Sequence, residues 1–96
     1  MLFGKVVGTV VATQKDPKLE GLKLQLVAGI DSRGKPGKNY VVAADAVGAG
    51  QGEIILFATG SSARQTDITN NKPVDAVIMA IVDQWDVEDK IIFRKE

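Results

Sequence analysis

The chain has no cysteine and no histidine. The first absence rules out disulfides, a thiolate nucleophile and an iron–sulfur cluster. The second removes the usual zinc ligand, the usual general base and the usual side chain that titrates near neutrality. Aromatic residues are scarce: Phe3, Tyr40, Phe57, Trp85 and Phe93 are the full set. Neither sign of charge is in excess, with twelve basic and twelve acidic side chains. A nucleic-acid binder ordinarily carries a net positive footprint. The longest apolar run, Ala76 to Val82, is far short of the ~20 residues that a spanning helix needs. The apolar N-terminus Met1–Ala12 is interrupted by Lys5 and by Gly4 and Gly8, and no small-x-small cleavage site follows it. It therefore reads as a strand and not as a signal peptide, and a cytoplasmic location is expected.

What is present is ordinary globular composition, 45% hydrophobic and 25% charged, in 96 residues. One small domain over residues 1–96 is expected. A folded chain of this mass exposes about 5,300 Å² and buries about 64 per cent of its unfolded surface. That suffices for a thin core and leaves no room for a deep enclosed cleft.

Most segments read as strands. Residues 3–13 are rich in Val and Thr, with Gly4 and Gly8 as bends, and Asp16-Pro17 breaks the ladder. Leu22-Lys-Leu-Gln-Leu26 alternates with period two. Residues 31–38 are turn chemistry throughout. Further strands are expected at Tyr40–Ala44, Glu53–Thr59, Val74–Trp85 and Lys90–Arg94, with most of the aromatics in the core. Helix signals are few: a capping box at Ser62-Ala-Arg-Gln65 and a single turn within Leu19–Lys23. Short strands at close spacing predict an all-β fold, a small OB-like closed antiparallel β-barrel with one or two short helical turns.

Several fragments resemble catalytic motifs and fail on mechanism. Gly29-x4-Gly34-Lys35 opens like a phosphate-binding loop. Pro36 then stands where a Ser or Thr should hold magnesium, and no helix follows. Ser32-x-x-Lys35 has nucleophile spacing, but Gly34-Lys35-Pro36 forbids the helix that would align the pair. Gly48-Ala49-Gly50-Gln51-Gly52-Glu53 has Glu where a dinucleotide fingerprint needs its third glycine, and a strand follows it. Glycine at every second position strips one side of that segment. Either a backbone approaches closely there, or the chain takes positive φ. The segment is thus a bulged turn or a loop packed near a partner. Asp45, Asp75 and Asp83 border strands, where aspartates commonly accept from loop amides. No acidic cluster has metal-loop spacing. No cofactor, metal, catalytic residue or membrane partner is expected.

At this point the residues resemble a known family. The segments Gly4–Thr13 followed by Lys15, Leu19-x-Gly21-x-Lys23-Leu24, Asp45–Glu53, Gly60–Arg64 and Pro73–Ala76 leading to Ile81-Val-Asp83 stand in the order of the ethanolamine-utilization/carboxysome pentamer family, the vertex proteins of bacterial microcompartment shells. The resemblance implies a non-enzymatic, OB-like shell protein of a carboxysome or metabolosome. It implies a homo-pentamer that caps a vertex among hexameric shell proteins, in the bacterial cytoplasm. Together with the glycine pattern, it leads to the expectation that Gly48, Ala49, Gly50, Gly52 and Glu53 adjoin Gly60, Ser61, Ser62, Ala63 and Arg64 at the subunit interface or five-fold axis. Glu53 and Arg64 would then be partners. The competing reading is an OB-type binding module for single-stranded nucleic acid or a small ligand, acting through Arg33, Lys35 and Lys38.

Overall fold

A computed structural model describes all residues, Met1–Glu96. Five strands close a barrel: β1 (Leu2–Val10), β2 (Leu24–Ile30), β3 (Pro36–Asp45), β4 (Ile54–Thr59) and β5 (Ala76–Ile81), in the order β1-β2-β3-β5-β4. This is the small OB-like barrel that the strand spacing predicts. One of its five seams is parallel: Ala44 pairs with Val77 and Asp45 with Ile78. Short 3₁₀ turns at Pro17–Leu19 and Gly60–Arg64 are the only helical segments. Two more strands, β6 (Gln84–Val87) and β7 (Lys90–Arg94), form a separate hairpin.

Inside the barrel, Val6, Val27, Ala43, Ile55, Phe57, Ala76 and Ile78 pack as one buried cluster. Their positions follow from period two, since alternate residues of each strand face inward. Gly4 is needed where β1 crosses this core. A Cβ there would lie 2.5 Å from Val27 Cγ1 and 2.9 Å from Phe57 Cε1. β1 is bent by an irregularity between Val6 and Gly8, which lets a nine-residue strand pair with both β2 and β4. A second cluster, Ala44, Ala58, Ala63 and Val77, lies on the outer surface, where the Gly60–Arg64 turn covers β4 and β5.

Several expected boundaries move, each for a physical reason. The helical turn expected within Leu19–Lys23 forms earlier, at Pro17–Leu19. Asp16 caps it by accepting from Lys18 N, and Pro17 is at its start, where a missing N–H costs nothing. Asp16-Pro17 is therefore the start signal of this turn and not the breaker of the expected 3–13 strand, since β1 already ends at Val10. The expected capping box at Ser62 is absent: the turn begins at Gly60, and the Ser62 hydroxyl donates back to Thr59 O at 2.7 Å. β2 runs on to Ile30 because Val27 and Ala28 are both buried, which ends the alternation that marks a half-exposed strand. β3 starts at Pro36, so the turn proper is residues 31–35. The long strand expected at Val74–Trp85 divides. Val82 N donates the last bond into the barrel, to Ile54 O, and the chain then leaves at Asp83.

The aromatics also depart from expectation. Phe57 alone is buried, Tyr40 is 62% exposed, and Phe3, Trp85 and Phe93 are half-buried. Trp85 stacks on Phe3 at 4.4 Å and lies 5.5 Å from Phe93. Three of the five rings thus attach the hairpin to the outside of β1.

Candidate functional site

The loop between β3 and β4 is anchored from within the barrel. Gln25, fully buried, donates from Nε2 to Ala49 O at 2.7 Å and to Asp45 Oδ2 at 3.3 Å, while its Oε1 accepts from Thr9. Asp45 accepts in turn from Val47 N and Gly48 N, the role expected of an aspartate at a strand end. The side chains of Asp75 and Asp83 form no such bonds. No buried polar side-chain atom is left without a partner. This network holds a glycine-rich loop in one conformation, since its only buried side chain, the Ala49 methyl, is itself part of the core.

The alternating glycines are explained by conformation. Gly48 (φ +75) and Gly52 (φ +89) occupy the left-handed region, and an added Cβ at either would meet nothing within 4 Å. Gly52 N and Glu53 O then close the loop onto both backbone groups of Val6. Gly50 does not have positive φ, but an added Cβ would lie 3.3 Å from Glu53 Oε1, the oxygen that accepts its N–H at 2.7 Å.

Glu53 does not meet Arg64 within the chain. Its Oε2 receives Lys95 Nζ at 2.6 Å, from just beyond the hairpin. That hydrogen bond, with help from the Gly50 N–H, holds the Glu53 carboxyl below its usual range, and Glu53 in turn raises the Lys95 ammonium. Arg64 instead donates from its guanidinium to Val74 O at 3.2 Å. No hydrogen bond or ion pair joins 48–53 to 60–64 in one protomer. Of the ten residues expected there, the Ala49 and Ala63 methyls are buried in the chain's own two clusters. Gly48, Gly50, Gly52, Gly60, Ser61 and Ser62 are exposed, and Glu53 and Arg64 are half-buried.

One local structure has no counterpart in the sequence reading. Thr66 and Thr69 bond each other hydroxyl to hydroxyl at 2.6 Å, and each hydroxyl also accepts from the other residue's N–H. Thr69 is fully buried. Two threonines three apart in a polar stretch are the only sequence signal, and they turn residues 65–73 from an apparent loop into a fixed one.

The basic turn offers little for nucleic acid. Asp31 Oδ1 accepts from Arg33 N and Lys35 N at 2.9 Å, so a carboxylate sits within the cluster, held below its usual range by the Lys35 amide first. Trp85 Nε1 donates to Ser32 O, which commits that ring to the protein. Stacking platforms need free ring faces beside a basic groove.

These features define a class: a small OB-like barrel whose fixed loops are rigid and exposed at the surface. The comparisons then place it. The pattern of the family described as "Ethanolamine utilisation protein EutN/carboxysome" matches residues 1–83, and the chain belongs to that family. The carboxysome shell vertex protein CcmL of Gloeobacter violaceus is 45% identical over the whole of this chain and 96% of its own length. Its solved structure superposes with a TM-score of 0.95, covering 99% of this chain and 98% of that one. The GrpN pentameric microcompartment shell protein of Rhodospirillum rubrum is 42% identical with a TM-score of 0.84, covering 91% and 99%.

Proposed function

We propose that residues 1–96 form one structural unit, a bacterial microcompartment shell protein that assembles as a homo-pentamer and caps shell vertices. The observation that carries this reading is the match to shell vertex proteins along the whole chain, at identities of 45% and 48%. Hexameric shell proteins are its neighbours in the facets, and it contributes curvature and closure without catalysing a reaction.

The lone protomer's surface supports association. It exposes 6225 Å², against about 5,300 Å² expected for its mass, and only 18 of 96 residues are buried. Its extents are 46 × 24 × 23 Å, so it is elongated. Two directly opposed pairs on the outside of β2 and β3, Leu26 with Val42 and Ala28 with Tyr40, leave Val42 46% and Tyr40 62% exposed. A ring of five identical subunits needs two different patches on each copy, joined head to tail. We assign the exposed parts of 48–53 and 60–64 to that contact. Within one protomer Glu53 holds Lys95 and Arg64 holds Val74 O, so a Glu53–Arg64 pairing is not made inside the chain.

Native mass spectrometry tests the assembly. Five copies of the 10.2 kDa chain give a species of about 51 kDa. A monomer at low micromolar concentration would overturn the reading, and a hexamer would keep the family and reject the vertex geometry. Ser61→Trp tests the contact, since Ser61 is exposed and its side chain makes no hydrogen bond. The variant should keep its circular dichroism and lose the pentamer. A pentamer that survives intact would remove the Gly60–Arg64 turn from the interface.

A further inference from the structure

Beside the Gly60–Arg64 turn lies an open basin of ≈ 660 Å³ lined by eight residues, none of them hydrophobic and none acidic. Two regions far apart in sequence build it, Lys18 and residues 61–73. Lys18 comes from the first 3₁₀ turn, Ser61, Arg64 and Gln65 from the second, and Asn70, Asn71, Lys72 and Pro73 from the loop before β5. Three of the lining side chains are cations. The chain has only two ion pairs, Lys15 with Glu20 and Lys95 with Glu53, so Lys18, Arg64 and Lys72 have no carboxylate within 4 Å. The side-chain amides of Gln65, Asn70 and Asn71 and the Ser61 hydroxyl make no hydrogen bond within the chain.

The walls are fixed. Arg64, half-buried, is tethered by one guanidinium nitrogen to Val74 O, which leaves its other donors free. The 65–73 loop is locked by the reciprocal Thr66–Thr69 bonds, and Lys72 N donates to Thr69 O at 2.9 Å. Asn71 holds φ +59, a left-handed conformation that asparagine tolerates. In a chain whose charges balance overall, three unpaired cations on rigid backbone form a local excess of positive charge. Such an arrangement is matched by one ligand chemistry, an anion with several oxygens that can accept from a planar guanidinium and two ammonium groups together.

We propose that this basin binds a small multivalent oxyanion of the phosphate class, with Lys18, Arg64 and Lys72 as the charge partners and the Asn and Gln amides as supporting donors. All eight lining residues belong to one protomer, and since Ser61 and Arg64 lie in the turn assigned above to the subunit contact, the proposal rests on that contact leaving the basin open.

The test is calorimetric titration of the purified, assembled protein with pyrophosphate and with inorganic phosphate at near-physiological salt. Lys18→Gln/Lys72→Gln is titrated beside it, and Arg33→Gln/Lys35→Gln/Lys38→Gln serves as a control for loose surface attraction. Saturable binding is expected, tighter for pyrophosphate. Loss of the two ammonium contacts should weaken it about tenfold or more, a factor of ten being about 1.4 kcal/mol. The control should bind as the parent does. No saturable heat, undiminished affinity in the Lys18/Lys72 variant, or loss in the control instead would each overturn the proposal. Native mass spectra of the same samples report assembly separately, so a failed pentamer and an empty basin are distinguishable.

Discussion

The barrel and the C-terminal hairpin are held by different forces. Every fully buried large side chain belongs to the barrel or to the loops that close it, and of these only Gln25 and Thr69 are polar, both hydrogen-bonded. The hairpin has no buried residue. It is held by Trp85 stacked on Phe3, by Trp85 Nε1 bonded to Ser32 O at 2.8 Å, by Lys95 N bonded to Asp83 O, and by the Lys95–Glu53 pair. The family pattern ends at residue 83, where the barrel ends. Burial of aliphatic surface specifies the barrel, whereas the hairpin is attached by a few aromatic and polar contacts to a barrel already complete. The two regions should therefore fail separately.

The largest effect is expected inside the barrel. Gly4→Val places its Cβ 2.5 Å from Val27 Cγ1, with Phe57 closing the other side. Neither neighbour can swing away, because both are buried. Overpacking of this kind costs about 3 kcal/mol or more, a large share of the stability of a small domain. Urea denaturation should show the whole chain destabilised, hairpin included. A midpoint within error of the parent would show that β1 does not cross the core so closely.

Gln25→Ala comes next. It leaves Ala49 O without its side-chain donor and Thr9 without its acceptor, and removes one donor from Asp45 Oδ2. The expected loss is about 2–3 kcal/mol, from unpaired buried groups plus a small cavity. Amide exchange should quicken across 46–52 more than in the hairpin. Uniform change across the chain would mean that Gln25 is ordinary core and not the anchor of the loop.

How much of this was legible beforehand divides along the same line. Barrel strands show as apolar periodicity, and that periodicity is caused by the burial that stabilises them, so the closed barrel could be read. The parallel β3–β5 seam could not, since pairing direction leaves no mark on a strand as short as Ala76–Ile81. Trp85 and Phe93 look like core residues in sequence, because an aromatic covering the outside of a barrel has the same local pattern as one inside it. Of the candidate loops, the glycines at 48 and 52 announced an unusual backbone. Their positive φ, and not close approach, is the cause. Gln25 and Lys95 carried no signal at all: their partners lie 24 and 42 residues away.

Trp85→Ala should separate the two regions. The ring's stack on Phe3, its contact with Phe93 and its bond to Ser32 O are lost together. About 2 kcal/mol of local stability should go. Amides of 84–94 should lose protection while those of β2 and β4 keep theirs. Equal loss in β4 would make the hairpin an integral part of the barrel and would break the contrast.

The smallest effect, and the sharpest probe of the join, is at Glu53 and Lys95. The pair depresses the carboxyl and raises the ammonium. A depressed carboxyl contributes stability that is present above the ordinary glutamate range and is lost as pH falls through the lowered folded value. A raised ammonium contributes below the ordinary lysine range and loses its share as pH climbs through the raised folded value. The join should therefore hold across the neutral range and loosen at both extremes. Both groups lie at the surface, so screening by salt keeps the gain small. In Lys95→Gln the Glu53 carboxyl, followed by NMR, should titrate at higher pH than in the parent. Gly50 N still donates to its other oxygen in that variant and lowers the carboxyl's pKa, against burial and Asp45, which raise it. An unmoved titration would show that the hairpin does not reach the loop in solution. Faster exchange of the Gly50 amide in the same variant would show that the 48–53 loop depends on the hairpin for its shape, and the barrel would then be less self-sufficient than its buried core implies.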